Sequence, residues 1–371
     1  MAAITGIDTH VTETARKPLL FVEVHDDDGR TGLGEAAPNA DARTVRAAID
    51  AVADRVVGTA VHATERRFRR LFNTSVLTPD DVPAGPTDVA HTTAASAIDV
   101  ACWDLKARDA GVPLYELLGG PVRDELPTYA NGWWQDVYRE DDGDPGRLAA
   151  AATGVVDDGY EALKCNPFGW GPGWIDRTDV HEAVERVAAV RDAVGPSIDL
   201  LIEGHGQLTP TAARDVAGRF ESFDPALFEE PTPPKASELA QVAAATTVPI
   251  ATGESLLTHH AFADLLDTGI GVVQPDPLRT GGVTETMKVA SMADAAGMSL
   301  APHNACGPVG TAVSAHIAAA VPNLAFLEVF DEYVHPDWLL HAFDGAPLVS
   351  GGDVELPDEP GLGLTLDPTL L

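Results

Sequence analysis

The chain has 371 residues, 45% of them hydrophobic, so it exceeds the roughly 250 residues of one α/β barrel and predicts a barrel plus a smaller domain. Asp and Glu number 57 against 24 Lys and Arg, a formal net charge of −33. That excess argues against nucleic acid or anionic membrane as a partner, because those interfaces need clustered positive charge.

Residues 1 to about 36 read as a meander of strands. Leu19–Val24 is β-rich, Asp26-Asp27-Asp28-Gly29 is a turn, and Thr31–Glu35 returns as a glycine-rich strand. Asp41–Val57 and Thr64–Phe72 have helical composition, and Pro79–Pro86 breaks the pattern as a loop. From Thr92 to Ala110, Ala94, Ile98, Ala101 and Leu105 fall on one helical face, with Gly111 where a C-cap belongs. Pro113–Arg123 makes a short helix and a glycine turn. The expected division is an α+β capping domain over 1–123, a barrel over 124–345, and a tail over 346–371 that packs back on the first domain.

Eight apolar stretches follow, near 126–131, 161–166, 199–204, 226–231, 248–253, 271–276, 298–303 and 324–329, with helical patterns such as His181–Val194 between them. Most end in a polar or charged side chain. From Glu203 the steps are 26 residues to Glu229, 25 to Glu254, 22 to Asp276, 27 to His303 and 25 to Glu328. Upstream, Ala162-Leu163 leads to Lys164 and Asn166. One charged group per strand–helix unit describes a closed parallel barrel with its chemistry on one rim. Three successive acids, Glu203, Glu229 and Glu254, would repel one another without a cation, so they read as ligands of a hard divalent ion, magnesium (Mg²⁺).

Cys102, Cys165 and Cys306 are too scattered for a disulfide framework or zinc cluster and suit a reducing cytoplasm. MAAITGIDTHV carries no basic segment followed by an apolar one, and no apolar run nears the roughly 20 residues that span a bilayer. A soluble cytoplasmic protein is expected. Only five of the 24 basic residues are lysines, an acidic, lysine-poor composition like that of halophilic proteins.

Ser96-Ala97-Ile98-Asp99, Trp103-Asp104-Leu105, Leu117-Leu118-Gly119-Gly120, Glu229-Glu230-Pro231, Gly253-Glu254, Pro275-Asp276 and Gly281-Gly282-Val283-Thr284 together resemble the mandelate racemase subgroup of the enolase superfamily. The resemblance spans nearly the whole chain. It implies a modified (β/α)7β barrel of the TIM type under an N-terminal α+β cap, magnesium on three carboxylates, and a symmetric homo-oligomer, dimer or octamer. Lys164-Cys165-Asn166, Gly204-His205-Gly206 and Pro302-His303-Asn304 resemble motifs of galactonate dehydratase-like sugar acid dehydratases. Those enzymes usually place an aspartate where this chain has Glu203.

In such chemistry magnesium takes the charge of a developing enediolate while Lys164 adds a fixed positive charge. His303 is the candidate base, and Asp276 holds its far nitrogen. His205 is the candidate acid for a leaving β-hydroxyl, and Glu328 and Asn166 are candidate substrate contacts beside Lys164. The expected reaction is dehydration of an acid sugar, galactonate- or gluconate-like, to a 2-keto-3-deoxy acid. Asn166 stands where the subgroup's racemases carry a second lysine, and asparagine cannot serve as a base at neutral pH. Racemisation or epimerisation through His205 and His303 is the alternative, with a non-catalytic metal- or sugar-acid-binding homologue as a third reading. His25, His62, His91, His181, His259, His260 and His316 read as surface or capping groups, and Trp133, Trp134, Trp170 and Trp174 as either a cover over the site or packing. Specificity is expected from Thr12–Pro18, Pro38–Arg43 and Phe168–Trp174.

Overall fold

The structure, a computed structural model, describes residues 2–14, 17–38, 41–72, 88–169, 175, 177–346 and 348–371. The Pro79–Pro86 loop, Trp170 to Trp174, and parts of the two expected specificity segments of the first domain lie outside the described residues.

Strands β1 (Ile4–Thr12), β2 (Leu19–Asp26) and β3 (Thr31–Ala36) form an antiparallel meander, joined through the Asp26 to Gly29 turn. Helices α1 (Ala42–Val56), α2 (Thr64–Phe72) and α3 (Val89–Ala110) follow, then the single turn α4 (Leu114–Leu117). Asp41 caps α1 and Asp88 caps α3, each accepting a backbone N–H three residues on. α3 therefore starts before Thr92, and it is buried around most of its circumference rather than on one face. It is wedged between β3 on one side and α1, α2 and a barrel helix on others. Two glycines of β3 permit this: a Cβ on Gly32 would lie 2.1 Å from the Ala101 carbonyl, and one on Gly34 2.2 Å from the Ala97 carbonyl.

The larger sheet is parallel and eight-stranded: β4 (Thr128–Ala130), β5 (Ala162–Cys165), β6 (Asp199–Glu203), β7 (Leu227–Glu229), β8 (Ile250–Thr252), β9 (Val272–Val273), β10 (Ser299–Leu300) and β11 (Leu327–Val329). Its order runs β10-β9-β8-β7-β6-β5-β4-β11, and a bridge between Leu300 and Leu324 closes the seam. Each of the eight expected stretches contains its strand. Between strands run α5 (Gln135–Asp141), α6 (Pro145–Asp157), α7 (Arg177–Val194), α8 (Pro210–Phe220), α9 (Ala236–Ala243), α10 (Thr258–Ala263), α11 (Gly282–Ala295) and α12 (Pro308–Ala320). After β11 the chain makes short turns, a small hairpin (Val349–Ser350 with Asp353–Val354) and an antiparallel pair between Phe343–Asp344 and Thr365–Leu366, and Gly361 pairs with Pro113. Leu362 N–H donates to Asp104 Oδ1 at 2.6 Å.

Inside the barrel, Tyr129, Ala162, Leu201, Leu227, Ala251, Val272 and Ala301 pack as one apolar floor. Side chains alternate across a strand, so the residue two places on from each floor residue points inward one layer higher. Those residues are Asn131, Lys164, Glu203, Glu229, Gln274 and His303, with Gly253 above Ala251. His316, expected at the surface, is fully buried on α12, where its Nδ1 accepts from the Tyr115 N–H at 3.2 Å. Burial pushes that imidazole down to about 4.

A Gly34→Ala substitution drives a methyl group into the α3 backbone, which cannot move as a side chain can. Thermal or urea unfolding should show a loss of about 1–3 kcal/mol or more, and unchanged stability would mean that α3 is not seated so closely.

Candidate active site and metal centre

The inner polar layer is a charge cluster. Lys164 is 2% exposed, and its Nζ lies 2.7 Å from Glu229 Oε1, 2.7 Å from Glu328 Oε1 and 3.7 Å from Glu203 Oε2. Burial alone would lower this ammonium, but the Glu229 and Glu328 carboxylates hold it well above its usual range. Glu328 responds in the opposite sense. Burial would raise it, yet Lys164 and then His303 bring it down to about 2. Its oxygens also accept from Asn131 Nδ2 at 2.8 Å and from the Asn304 N–H at 2.6 Å.

Glu203 and Glu229 are paired in register on β6 and β7, side by side on the inner face. Glu254 enters from beyond β8 through Gly253, whose φ of 139° swings the next residue over the rim and whose missing Cβ leaves room for Phe262. Glu230, the neighbour of Glu229, is itself buried and fixes that turn by accepting from Thr252 Oγ1 and from the Gly253 N–H. Ligand atoms of Glu203, Glu229 and Glu254 all lie within 4.8 Å of one another.

Burial, and then the charge of Glu229, push Glu203 well above the usual carboxylate range. Three carboxylates thus converge near one buried ammonium, and the three form a group that could hold a metal ion. Hard divalent cations such as magnesium take carboxylate oxygens as ligands, and Glu203, Glu229 and Glu254 would hold one here. The donor set fits. The extra methylene of Glu203 is folded back, with Oε1 accepting the His205 N–H at 2.5 Å.

Two histidines face the same space. His303 Nδ1 lies 3.1 Å from Asp276 Oδ2 and Nε2 lies 3.3 Å from Glu254 Oε2. Burial lowers this imidazole, but Glu254 and then Asp276 lift it to about 10. His205 sits at φ 48°, a left-handed turn flanked by Gly204 and Gly206, and burial lowers it. Asn166 Nδ2 donates to His205 Nδ1 at 2.8 Å, which leaves the ring hydrogen on Nε2.

A cavity of about 480 Å³ opens over these groups. Lys164, Glu203, Glu254, His205 and His303 line it, whereas Asn166, Asp276, Glu229 and Glu328 stand behind them. Asn166 acts on His205, Asp276 on His303, and Glu328 on Lys164 and Asn304. Asn131, Gln135, Arg139 and His335 of the barrel also line it and were not singled out from the sequence, whereas Thr14, Lys17 and Pro38 of the first domain fall in the expected segments Thr12–Pro18 and Pro38–Arg43. The alternation rule on β4, applied two residues beyond Tyr129, could have found Asn131. Trp134 also lines the cavity, anchored by Nε1 donation to Asn131 Oδ1 at 3.0 Å, while Trp133 is packed away. Among the described residues no helix is long and apolar enough to cross a membrane.

Residues 2–119 match the mandelate racemase/muconate lactonizing enzyme N-terminal domain, and residues 147–370 match the enolase C-terminal domain-like family. The chain belongs to the mandelate racemase/muconate lactonizing enzyme family of the enolase superfamily. It is 38% identical over 354 residues to D-gluconate dehydratase of Thermoproteus tenax, an alignment covering 95% of this chain and 69% of that protein. It is 32% identical over 355 residues to D-gluconate/D-galactonate dehydratase of Picrophilus torridus, covering 95% and 87%. A crystal structure of an enolase superfamily member from Salmonella Typhimurium superposes with a TM-score of 0.91 at 27% identity, covering 100% of this chain and 97% of that one.

A metal held by the three carboxylates should stabilise the fold by mass action, about 2.7 kcal/mol at a hundredfold excess over Kd. Melting curves should therefore rise with added magnesium and fall back with chelator. In Glu254→Gln, whose side chain is partly exposed, the metal-free melt should stay near wild type while the magnesium-induced rise is lost. A metal response preserved in that variant would place the ion elsewhere.

Proposed function

We propose that this protein is a magnesium-dependent hydro-lyase that dehydrates an acid sugar of the aldonate class, gluconate- or galactonate-like, to a 2-keto-3-deoxy acid. The observation that carries this reading is the unequal pair of histidines that line one cavity: His303 is backed by a carboxylate, and His205 by an amide. An elimination needs a base for one carbon and a proton source for the oxygen leaving the next.

In this reading residues 1–123 cap a barrel of 124–345, and residues 346–371 brace the cap. Magnesium on Glu203, Glu229 and Glu254 would neutralise charge that builds on the substrate carboxylate as the α-proton departs. With Glu254 holding the cation, the carboxylate charge that most raises His303 would be offset, and the neutral imidazole takes that proton on Nε2 while Asp276 accepts from Nδ1–H and stabilises the imidazolium. The C–H electron pair becomes the new double bond, and the β-carbon releases its hydroxyl. His205 acts in its protonated form: it gives the Nε2 proton to the oxygen, which leaves as water, and the ring returns to its neutral state. The resulting enol becomes the 2-keto acid by proton transfer to carbon. Lys164 lines the cavity as a permanent cation and opposes charge on the substrate carboxylate. Asn166 and Glu328 are positioning residues, since each bonds to a group that faces the substrate. The cavity volume also suits a six-carbon acid.

Asn166 in place of a second lysine weighs against a two-base racemase. Incubation with D-gluconate, D-galactonate and related aldonates, with magnesium in high salt, should release 2-keto-3-deoxy acid. His303→Asn should lower kcat by about 10²–10⁴. Exchange of the α-proton with solvent deuterium and no keto acid would support an epimerase instead. Neither exchange nor product, from folded and metal-loaded protein, would sink the dehydratase reading.

A further inference from the structure

Two acidic side chains of the first domain end on barrel helices and take no part in the cavity. α12 starts directly behind the His303 loop, and its N-cap residue, Gly307, has no side chain with which to satisfy the first amides of the helix. Glu35, at the end of β3 and fully buried, does so from the other domain. Its Oε1 accepts the Gly307 N–H at 2.6 Å and its Oε2 accepts the Gly310 N–H at 3.1 Å. A Cβ on Gly307 would meet Glu35 Oε1 at 2.8 Å, so the glycine is what lets the carboxylate approach.

The arrangement repeats on the adjacent helix. α11 begins after Gly281, again without a capping side chain, and Asp99 of α3 accepts from the Thr284 N–H at 3.0 Å and from Thr284 Oγ1 at 2.8 Å. α11 and α12 follow β9 and β10, the strands that lead to Asp276 and His303. Each half of the dyad therefore runs into a helix capped by the first domain.

Only three residues separate His303 from Gly307. Within that span the Asn304 N–H is held by Glu328, and the Cys306 carbonyl accepts from His335 Nε2 at 2.6 Å. Glu35 anchors the far end. We propose that Glu35 is a positioning residue for the base, setting the orientation of His303 through its two-oxygen cap on α12 and tying that orientation to the seating of the first domain. This rests on the reading of His303 as the base. Both oxygens accept, so charge and shape are both used. A glutamine keeps the volume but turns an amide N–H₂ toward one of the two backbone amides, donor against donor.

The test uses Glu35→Gln in the magnesium-loaded full chain with D-gluconate and D-galactonate as probes. Displacing a catalytic group by about 1 Å costs up to about 10²-fold. α-Proton exchange and keto acid release should fall together by about 10- to 100-fold in kcat, with KM within about twofold. The imidazole nitrogen resonances of His303, assigned by their loss in His303→Asn, should shift in the variant with no substrate present. Magnesium affinity and circular dichroism should match wild type. If Glu35→Gln does not fold, Glu35→Asp, which keeps the charge and withdraws the oxygens by one methylene, takes its place in the same measurements. Wild-type kcat with unshifted His303 resonances would overturn the proposal, as would a loss of stability alone. Failure of the dehydratase reading is distinguishable: wild type itself would then lack turnover, while the imidazole shift would still decide whether Glu35 orients His303.

Discussion

Four carboxylates, from Glu203, Glu229, Glu254 and Glu328, converge at the mouth of the barrel around a single buried ammonium, and much of the site follows from that imbalance. Like charges about 4 Å apart repel by about 4 kcal/mol at an effective dielectric constant of 20. Lys164 answers two of them directly and a third at longer range. Glu254, closest to the cavity, is left to His303. A buried ion pair is a poor way to gain stability, because desolvation consumes most of the attraction. Such a cluster makes sense as a place prepared for a cation and an anionic ligand. Its members are held by second partners so that the charges cannot simply collapse together: Gln274 on Glu229, Asn131 and Asn304 on Glu328, and the His205 amide on Glu203.

Much of the barrel was legible in the sequence for a simple reason. Parallel strands buried on both faces read as short apolar runs, and the switch to a polar residue marks the end of each. The repeated interval between such ends then gave the architecture and the candidate ligands together. Pairings across the barrel were not legible. Nothing near Glu254 announces that it meets His303, and nothing near Lys164 announces Glu328, because those partners are set by strand order and tilt. Asn131, Gln135, Arg139 and His335 were missed for a related reason: none ends a run that looks exceptional alone.

The first domain was less transparent. α3 is rich in alanine and also carries Thr92, Thr93 and Ser96, small residues that suit a surface or a tight interior equally well, so its pattern suggested one buried face. The deciding information lay some sixty residues earlier, in Gly32 and Gly34, whose absent side chains bring sheet and helix into backbone contact. His316 misled in the same way. A histidine among alanines looks like a solvated position, but burial is affordable when the ring stays neutral and accepts one backbone amide.

The capping of α11 and α12 by the first domain has a consequence for the order in which the molecule is assembled. The Glu35 to Gly307 bond spans 272 residues of chain and the Asp99 to Thr284 bond spans 185. Synthesis proceeds from the amino end, so both carboxylates leave the ribosome long before the amides they will meet. Neither cap can form until those amides have been made. The last two barrel helices emerge with glycines at their N-caps and no local means of satisfying them. The two caps that flank the Asp276 and His303 strands can therefore close only after most of the barrel has been synthesised.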